Sequence, residues 1–322
     1  MNAKGAPASL PFADLAGSGF GANARRLFLA TRPKFLTASI LPVLLGTTIG
    51  ARLAGHVDWV IFAFALLAVI FVHSGANILN DVFDDMSGAD RPELGIFPYT
   101  GGSRFIQHAV MSRADMARWG VATLLIGAAF GAAIVFDKGP VALALGLIGG
   151  ALGTFYTMPP IKLGYRGFGE IAVGVAFGPL PVLGAAWLQT GAWSAAAALA
   201  SLPVGLWIAA VLLINEVPDV GGDAAAGKDT LVVRLGRPAT LRIYQGLMGV
   251  AALGAVALVS VAQLPLWTAI VPVAASGAAA LMAGPIVTAE LTSPELRQRL
   301  EWTLLVHAVG TLWLTLVLWA GL

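Results

Sequence analysis

Residues 59–76 read WVIFAFALLAVIFVHSGA, and residues 77–90 continue NILNDVFDDMSGAD. The first stretch carries no Asp, Glu, Lys or Arg. It is close to the roughly 20 apolar residues that a helix needs to cross a bilayer. The second stretch replaces apolar side chains with amides and carboxylates. Together they predict a membrane-spanning helix over residues 58–80 whose end carries polar groups to one membrane surface.

Eight other apolar runs have a similar length, so the sequence predicts nine transmembrane helices. The runs are continuous and do not alternate between apolar and polar residues, which excludes a spanning β-barrel. Pro272 and Pro285 interrupt one run, but membrane helices tolerate proline because neighbouring groups can satisfy the freed backbone. The nine predicted spans, numbered in chain order, are residues 35–55, 58–80, 114–136, 140–158, 168–189, 195–216, 241–262, 266–289 and 300–321.

The composition of the 322-residue chain supports this interpretation. Hydrophobic residues make up 58% and charged residues only 11%, whereas ordinary soluble domains have about 45–50% and about 25%. These values exclude a soluble enzyme and a nucleic-acid-binding protein. The chain contains no cysteine, which excludes disulfides, thiolate metal sites and cysteine nucleophiles.

The basic residues predict how the spans are oriented. Of the 19 Lys and Arg residues, only Arg52 and Lys138 fall between an odd-numbered span and the next one. The rest precede span 1 or lie in or beside the loops that follow even-numbered spans. The positive-inside rule then places the N-terminus in the cytoplasm. We expect residues 1–24 to be a disordered segment and residues 25–322 to form one polytopic domain.

Two clusters of amides and carboxylates follow the second and sixth spans, on the same predicted side of the membrane. If each span continues as a helix, the members of a cluster lie three or four positions apart and share one face. The clusters are Asn77, Asn80, Asp81 and Asp84 after span 2, and Asn215, Asp219 and Asp223 after span 6.

These clusters call for a nearby cation. Carboxylates at a helix C-terminus are disfavoured by the helix dipole, and neighbouring carboxylates repel one another. Hard oxygen donors without His or Cys favour Mg²⁺, which commonly binds a few carboxylates together with substrate phosphates. The alternative interpretation is that the clusters are solvated helix ends and that the basic residues only orient the chain. The basic candidates for a phosphate are Arg32, Arg104, Lys162, Arg166 and Lys228.

These motifs resemble those of the UbiA superfamily of intramembrane aromatic prenyltransferases. That family has nine transmembrane helices and two Asp-rich motifs, which follow helices 2 and 6. Asn80-Asp81-Val82-Phe83-Asp84 is similar to the first motif. The second is matched by Asp219-x-x-x-Asp223 followed by Gly227-Lys228-Asp229-Thr230. The resemblance covers residues 25–321.

Within the superfamily, the chain is most similar to the 1,4-dihydroxy-2-naphthoate prenyltransferases of menaquinone synthesis. The shared segments are Gly88-x-Asp90, Gly101 to Arg104, Phe155 to Pro160 and Tyr165 to Glu170. The resemblance implies an all-α bundle in the bacterial inner membrane with its active site facing the cytoplasm. It also implies Mg²⁺-dependent transfer of a polyprenyl group from an allylic diphosphate to an aromatic acceptor. Loss of CO₂ follows if the acceptor is the naphthoate. The implied partners are the polyprenyl diphosphate, the aromatic acceptor and membrane lipid, without nucleic acid.

The resemblance also implies roles for individual residues. The third acid of the first motif would fall at Gly88, so Asp90 or a register through Asn77, Asp81 and Asp85 is an alternative, and this ligand set stays open. The implied metal ligands are Asn80, Asp81, Asp84, Asp90, Asp219 and Asp223. The implied diphosphate-binding residues are Arg32, Arg104, Lys162, Lys228, Asn77 and Asn215. The implied catalytic residues are Lys162, Tyr156 and Arg166.

Several alternatives remain open from the sequence. Glu170 has two possible roles, orienting an acceptor hydroxyl or pairing with Arg166. The acceptor could instead be 4-hydroxybenzoate or another aromatic ring. A secondary transporter would also carry broken helices and intramembrane acids, but its site usually lies near the bilayer midplane. Among the four histidines none is spaced from another as metal ligands are, so neither zinc nor haem is predicted.

Overall fold

The computed structural model describes residues 19–89 and 102–321, together with Leu15 and Gly17. Within these ranges the regular structure is helical, with no strand. Three short 3₁₀ turns supplement the α-helices, at Pro33–Phe35, Leu163–Tyr165 and Leu266–Ala269. The helices are α1 Phe20–Ala30, α2 Thr37–Ala54, α3 Trp59–Ser87, α4 Arg113–Lys138, α5 Pro140–Phe155, α6 Gly169–Phe177, α7 Pro179–Thr190, α8 Ala195–Asn215, α9 Val220–Ala225, α10 Leu231–Val261, α11 Ile270–Leu281, α12 Pro285–Thr288 and α13 Pro294–Ala320.

Eight helical segments in the described part of the chain are long and apolar enough to cross a membrane. This confirms the predicted all-α membrane protein at the level of eight candidate spans. The remaining predicted span, residues 140–158, corresponds to α5, which is apolar but has only 16 residues. The eight candidates are Pro33–Ala54, Trp59–Ser87, Arg113–Lys138, Gly169–Thr190, Ala195–Asn215, Leu231–Val261, Leu266–Thr288 and Pro294–Ala320.

Side-chain caps fix where five of these helices begin. In each case a Ser, Thr or Asp side chain accepts a hydrogen bond from the backbone N–H three residues later. Such a cap typically contributes about 1 kcal/mol, because it satisfies a donor that the helix itself leaves open. The capping residues are Asp58, Ser112, Ser194, Thr230 and Ser293.

The first helix starts earlier than the sequence suggested. We placed residues 20–24 in a disordered segment, but α1 begins at Phe20. The Trp119 indole N–H on α4 donates to the Leu27 carbonyl at 3.1 Å, which ties α1 to the bundle. Residues 1–14, the main part of the predicted disordered segment, lie outside the described residues.

The fifth predicted span is two helices, because the chain breaks between α6 and α7 at Gly178 and Pro179. The break lies where the chain packs directly on the α8 backbone. A Cβ atom at Gly178 would lie 2.5 Å from the Gly205 Cα, and one at Gly205 would lie 2.6 Å from the Gly174 carbonyl oxygen. Only glycine permits this approach, so these positions set the distance between α6 and α8.

Other boundaries also differ from the hydropathy pattern. The helix of span 7 begins at Leu231 rather than residue 241 and bends at Gly236, where φ is 73°. Span 9 begins at Pro294 rather than residue 300. In both cases polar turns extend the helix beyond the apolar run, since a helix does not need apolar residues once it leaves the hydrocarbon. Span 8 is divided among the 3₁₀ turn Leu266–Ala269, α11 and α12.

The packed core centres on α8. Trp207 is fully buried against α11 and α13, and its indole N–H donates to the Ser276 hydroxyl at 2.9 Å. Gly310 on α13 makes room for this ring, because a Cβ atom there would lie 2.4 Å from it. The other side of α8, which faces α2 to α7, is less completely filled and contains a cavity of about 810 Å³.

Candidate functional site

The cavity is amphiphilic. One end is lined by amide, carboxylate and basic side chains, and the remainder by apolar residues such as Val135, Leu147 and Phe177. A ligand that fits it therefore has a charged head and a long apolar body. The polar lining residues are Arg32, His73, Asn77, Asn80, Asp84, Thr154, Tyr156, Asn215, Glu216, Asp219, Asp223 and Lys228.

The first cluster lies on the last turns of α3. The helix continues to Ser87, so Asn77, Asn80 and Asp84 line the cavity together. The Asn80 amide donates to Asp84 Oδ2 at 2.6 Å, and the Tyr165 hydroxyl donates to Asp84 Oδ1 at 2.7 Å. Asp84 is 5% exposed. Its carboxylate is therefore buried and held in one orientation by two donors.

Asp81 lies on the same helix end but outside the cavity lining. One of its oxygens forms an ion pair with Arg32, and the other accepts hydrogen bonds from the Ser103 backbone N–H, at 3.1 Å, and the Ser103 hydroxyl. Both oxygens therefore connect α3 to neighbouring loops. Asp90, another predicted ligand, lies outside the described residues.

The second cluster follows α8, with Asp219 just before α9 and Asp223 buried within it. Gly227, with φ of 69°, turns the chain so that Lys228 points back into the site. The Lys228 Nζ lies 3.5 Å from Asp223 Oδ1 and 3.8 Å from Asp84 Oδ2. The structure thus brings the two predicted clusters together, with one ammonium group between them.

The surroundings raise the pKa of both Asp223 and Lys228, but for different reasons. Burial, then the nearby Asp219 and Asp84, raise the pKa of Asp223 to about 7, although Lys228 opposes the shift. Burial alone would lower the pKa of Lys228, but Asp84 and Asp223 outweigh it and hold that pKa well above its usual value. Lys228 is therefore a permanent cation at neutral pH.

Three oxygen atoms at this end of the cavity accept no hydrogen bond from a donor among the described residues. They are Asn215 Oδ1, Glu216 Oε2 and Asp223 Oδ2, and all three are buried. Buried oxygens are normally satisfied, so their presence here indicates a ligand. In the described ranges, no three Asp, Glu or His side chains lie close enough together to coordinate one metal ion. The donors nevertheless are the hard oxygens that Mg²⁺ prefers.

Besides Asp81, three predicted basic site residues lie outside the cavity lining. The Lys162 ammonium lies 4.7 Å from the centre of the Tyr165 ring. Arg166 is exposed and donates to the Pro160 carbonyl at 2.9 Å. Arg104 is buried, with φ of 60°, beside the lining residue Gly102. Of the predicted catalytic residues, Tyr156 alone lines the cavity.

Sequence reasoning missed two side chains of the site. Tyr165 also bonds the Ser87 hydroxyl at 2.7 Å and so connects the loop after α5 to the end of α3. Glu216 lines the cavity directly after Asn215, and burial, then the neighbouring Glu170, raise the pKa of Glu216 well above its usual value. An acid within the second cluster was visible in the sequence, but its spacing does not match the Asp219–Asp223 motif.

Comparisons with known proteins identify a family and several relatives with similar sequences. The model of the UbiA prenyltransferase family matches residues 39–296. A 1,4-dihydroxy-2-naphthoate octaprenyltransferase of Bacillus subtilis is 29% identical over 250 residues, covering 76% of this chain and 77% of that protein. The Mycobacterium tuberculosis protein of the same name is 34% identical over 220 residues, covering 68% of this chain and 73% of its own.

Solved structures agree on the fold. A UbiA homolog from Archaeoglobus fulgidus bound to GPP and Mg²⁺ superposes with a TM-score of 0.65, at 17% identity, over 92% of this chain and 99% of that chain. The apo structure of a UbiA homolog from Aeropyrum pernix K1 gives a TM-score of 0.65 at 16% identity, over 88% and 96% of the two chains.

Proposed function

The chain belongs to the UbiA prenyltransferase family and is an enzyme that transfers prenyl groups, and we propose that its acceptor is 1,4-dihydroxy-2-naphthoate. The donor is an allylic polyprenyl diphosphate, and the product enters menaquinone synthesis. The observation that carries the proposal is the cavity, in which a buried cluster of carboxylates, amides and Lys228 adjoins an apolar arm. The names of the relatives from B. subtilis and M. tuberculosis support the acceptor.

The two ends of the cavity suit the two parts of the donor. The charged diphosphate fits the end that contains Arg32 and Lys228, and Asn77 and Asn215 add amide groups there. The polyprenyl chain fits the apolar arm, where burial of each CH₂ group contributes about 0.8 kcal/mol. An allylic cation formed between the two ends meets little water, because the arm is apolar.

We propose that Asn80, Asp84, Asp219 and Asp223 hold Mg²⁺. All four line the cavity, and the unpaired Oδ2 of Asp223 and the hard-donor chemistry of the set support this assignment. When bound, the ion would neutralise charge on the departing diphosphate. Asp81 lies outside the cavity lining and pairs with Arg32, so we assign it to positioning Arg32 rather than to direct ligation.

The protein's own groups then account for the remaining steps. Lys228 keeps its proton and stabilises the leaving diphosphate as the allylic C–O bond breaks. Tyr156 faces the cavity, where its ring can shield the allylic cation. The acceptor ring forms the new C–C bond at the carbon that bears its carboxylate, and that carboxylate leaves as CO₂. Lys162 and Arg166, on the loop beside Tyr165, are our candidates for attracting the acceptor's carboxylate.

We also propose nine spans, with the N-terminus in the cytoplasm of a bacterium and the site facing that side of the inner membrane. Lys228 contacts both Asp84 at the end of α3 and Asp223 after α8, so α3 and α8 end on the same side. The chain leaves that side along α4 and needs α5 as a return crossing before α6–α7 and α8 make the next round trip. At about 1.5 Å per residue, α5 covers about 24 Å. The distribution of basic residues supports the orientation.

The test is prenyl transfer by the purified protein in detergent. Farnesyl or geranylgeranyl diphosphate is supplied with Mg²⁺ or EDTA, and with 1,4-dihydroxy-2-naphthoate or 4-hydroxybenzoate. We expect Mg²⁺-dependent product and CO₂ from the naphthoate. Product from 4-hydroxybenzoate alone would overturn the acceptor but keep the chemistry. Absence of both product and diphosphate binding would favour a transporter.

A further inference from the structure

Two buried glutamates meet beside the candidate site. Glu170 lies in the first turn of α6, and Glu216 follows the last residue of α8. Each is 6% exposed. The two carboxyls are close enough to interact electrostatically with each other and with Tyr156. Glu216 lines the cavity between Asn215 and Asp219.

The fold brings these two residues together through a specific contact. The backbones of α6 and α8 are in contact at Gly174, Gly178 and Gly205. This contact holds the first turn of α6, with Glu170, close to the end of α8, with Glu216. The Tyr156 side chain occupies the space left by two further glycines. A Cβ atom at Gly164 would lie 2.9 Å from its ring, and one at Gly169 would lie 3.3 Å from its hydroxyl. The tyrosine hydroxyl and the glutamates therefore share one side of the site.

Both Glu170 oxygens and Oε2 of Glu216 are buried and accept no hydrogen bond from another described residue. The two carboxyls can share one hydrogen bond with each other, which leaves at least one of these three oxygens unsatisfied. A buried polar atom without a partner costs about 1–3 kcal/mol. Arg166 donates to Pro160 at the surface, so of the two roles that the sequence left open for Glu170, pairing with Arg166 is disfavoured. The remaining oxygen suits a ligand that brings a hydrogen-bond donor.

We propose that Glu216, paired with Glu170 behind it, binds the ring hydroxyl that is remote from the acceptor's carboxylate and thereby selects a dihydroxylated ring. The inference rests on the proposed prenyl transfer and extends it to the acceptor's binding site. Hydroxyl groups are neutral donors that fit a buried carboxyl pair, whereas a second carboxylate would be repelled. A hydroxyl bound at Glu216 lies next to Asn215 and Asp219, so the ring is held beside the end of the cavity that takes the diphosphate.

A site that hydrogen-bonds a substrate hydroxyl discriminates strongly against analogues that lack it, because its polar groups are then left unpaired. The test uses Glu170→Gln and Glu216→Gln, with the exposed Glu290→Gln as matched control. KM is measured for the naphthoate and for the prenyl diphosphate, and the wild type is also assayed with 1-hydroxy-2-naphthoate. Calorimetric titration of the acceptor alone gives a second readout that does not need turnover.

We expect either substitution in the pair to raise the acceptor's KM and Kd about tenfold or more, while the KM of the diphosphate changes less than twofold. The preference for two hydroxyls over one should shrink in the same variants, and the control should match the wild type. Melting temperatures in detergent identify any variant that is misfolded, in which case Glu170→Asp or Glu216→Asp replaces it.

Two different failures remain distinguishable. An unchanged acceptor KM and Kd in folded variants of an active enzyme would overturn the hydroxyl-binding assignment and leave prenyl transfer intact. Equal losses toward both substrates would also overturn it, because they indicate a structural role. A wild type that transfers no prenyl group to any acceptor would instead overturn the proposed function.

Discussion

Lys228 contacts a carboxylate of each of the two clusters. Its ammonium lies 3.5 Å from Asp223 and 3.8 Å from Asp84, and only 14% of its side chain is exposed. Replacing it with Met keeps much of the volume but leaves two buried carboxylates facing each other without a cation. Breaking a buried ion pair in this way costs about 3–5 kcal/mol.

We therefore expect Lys228→Met to lower the melting temperature and to reduce kcat at least a hundredfold, since Lys228 also meets the leaving diphosphate. Lys138→Met is the matched control, because that lysine lies at the end of α4 and pairs with Asp58 and Asp137 away from the cavity. Thermal unfolding in detergent and steady-state kinetics measure the two effects. Near-normal turnover in Lys228→Met would contradict the role of this lysine.

The raised pKa of Asp223 leads to a prediction of how Mg²⁺ binding depends on pH. Burial, and then the neighbouring acids, raise its pKa to about 7 in the absence of a metal, so protons and Mg²⁺ compete for it near neutrality. Below that pH the protonated acid must lose its proton before it binds the ion. The Mg²⁺ concentration for half-maximal activity should therefore rise as pH falls from 8 to 6, approaching about tenfold per unit below pH 7.

The measurement is Mg²⁺ titration at several pH values, with the exposed Asp137→Asn as control, which should keep the wild-type pH dependence. Asp223→Asn should lose that dependence together with most of the activity. A Mg²⁺ requirement that stays constant from pH 6 to 8 would rule out Asp223 as a metal ligand.

At the scale of the helices, glycines set how closely α6 and α8 pack. A methyl group at Gly178 would meet backbone atoms of α8 at 2.5 and 2.6 Å, so Gly178→Ala must push α6 away from α8. Overpacking of this kind costs about 1–3 kcal/mol. Gly249 on α10 lies outside the cavity lining and has open space around its missing Cβ atom, so Gly249→Ala should be neutral or slightly stabilising.

We expect Gly178→Ala to lower the melting temperature by several degrees and to weaken acceptor binding more than diphosphate binding, because it displaces Glu170 from Glu216. Thermal unfolding and the two KM values, each compared with Gly249→Ala, provide the test. If Gly178→Ala and Gly249→Ala behave alike, the α6–α8 contact does not set the site's geometry.

The sequence predicts which residues share a helix face better than it predicts where helices break or begin. The face shared by Asn77, Asn80 and Asp84 followed from their spacing, because a helical period continues regardless of hydropathy. The break at Gly178 did not follow, since it depends on a contact with α8 that no local pattern reveals. Likewise, the early start of α10 was hidden because apolar length marks the membrane and not the helix.

The candidate site, too, could be predicted from the sequence only in part. Motif spacing predicted that two carboxylate clusters belong together, but it could not reveal that Lys228 would be the group between them. Glu216 was also out of reach, since its importance arises from Glu170, which is distant in sequence. Arg166 lies in a shared motif but is exposed and outside the cavity lining, so its predicted role stays a prediction.

Topology is a property of the whole molecule, and the nine-span proposal depends on α5. Because the chain contains no cysteine, single cysteines can be introduced without a prior knockout. Asp137, 58% exposed before α5, and Ile161, 40% exposed after it, flank this helix. We expect a membrane-impermeant maleimide added to intact spheroplasts to label Asp137→Cys and spare Ile161→Cys.

Two further positions calibrate that experiment. Ala192→Cys, in the exposed turn between α7 and α8, should be labelled from outside, and Thr292→Cys, before α13, should be protected until the membrane is permeabilised. Labelling of both flanks of α5 from the same side would mean that α5 does not cross and that the molecule has eight spans.

The ammonium of Lys228 also leads to an expectation about the order in which the enzyme matures. Since it already neutralises carboxylates from both halves of the bundle, we expect the polypeptide to assemble this centre before any divalent ion arrives. Loading of the proposed Mg²⁺ would then be a late, reversible event on a folded protein rather than a step of folding. We expect a cell starved of magnesium to accumulate folded but inactive enzyme that resumes turnover when the ion returns.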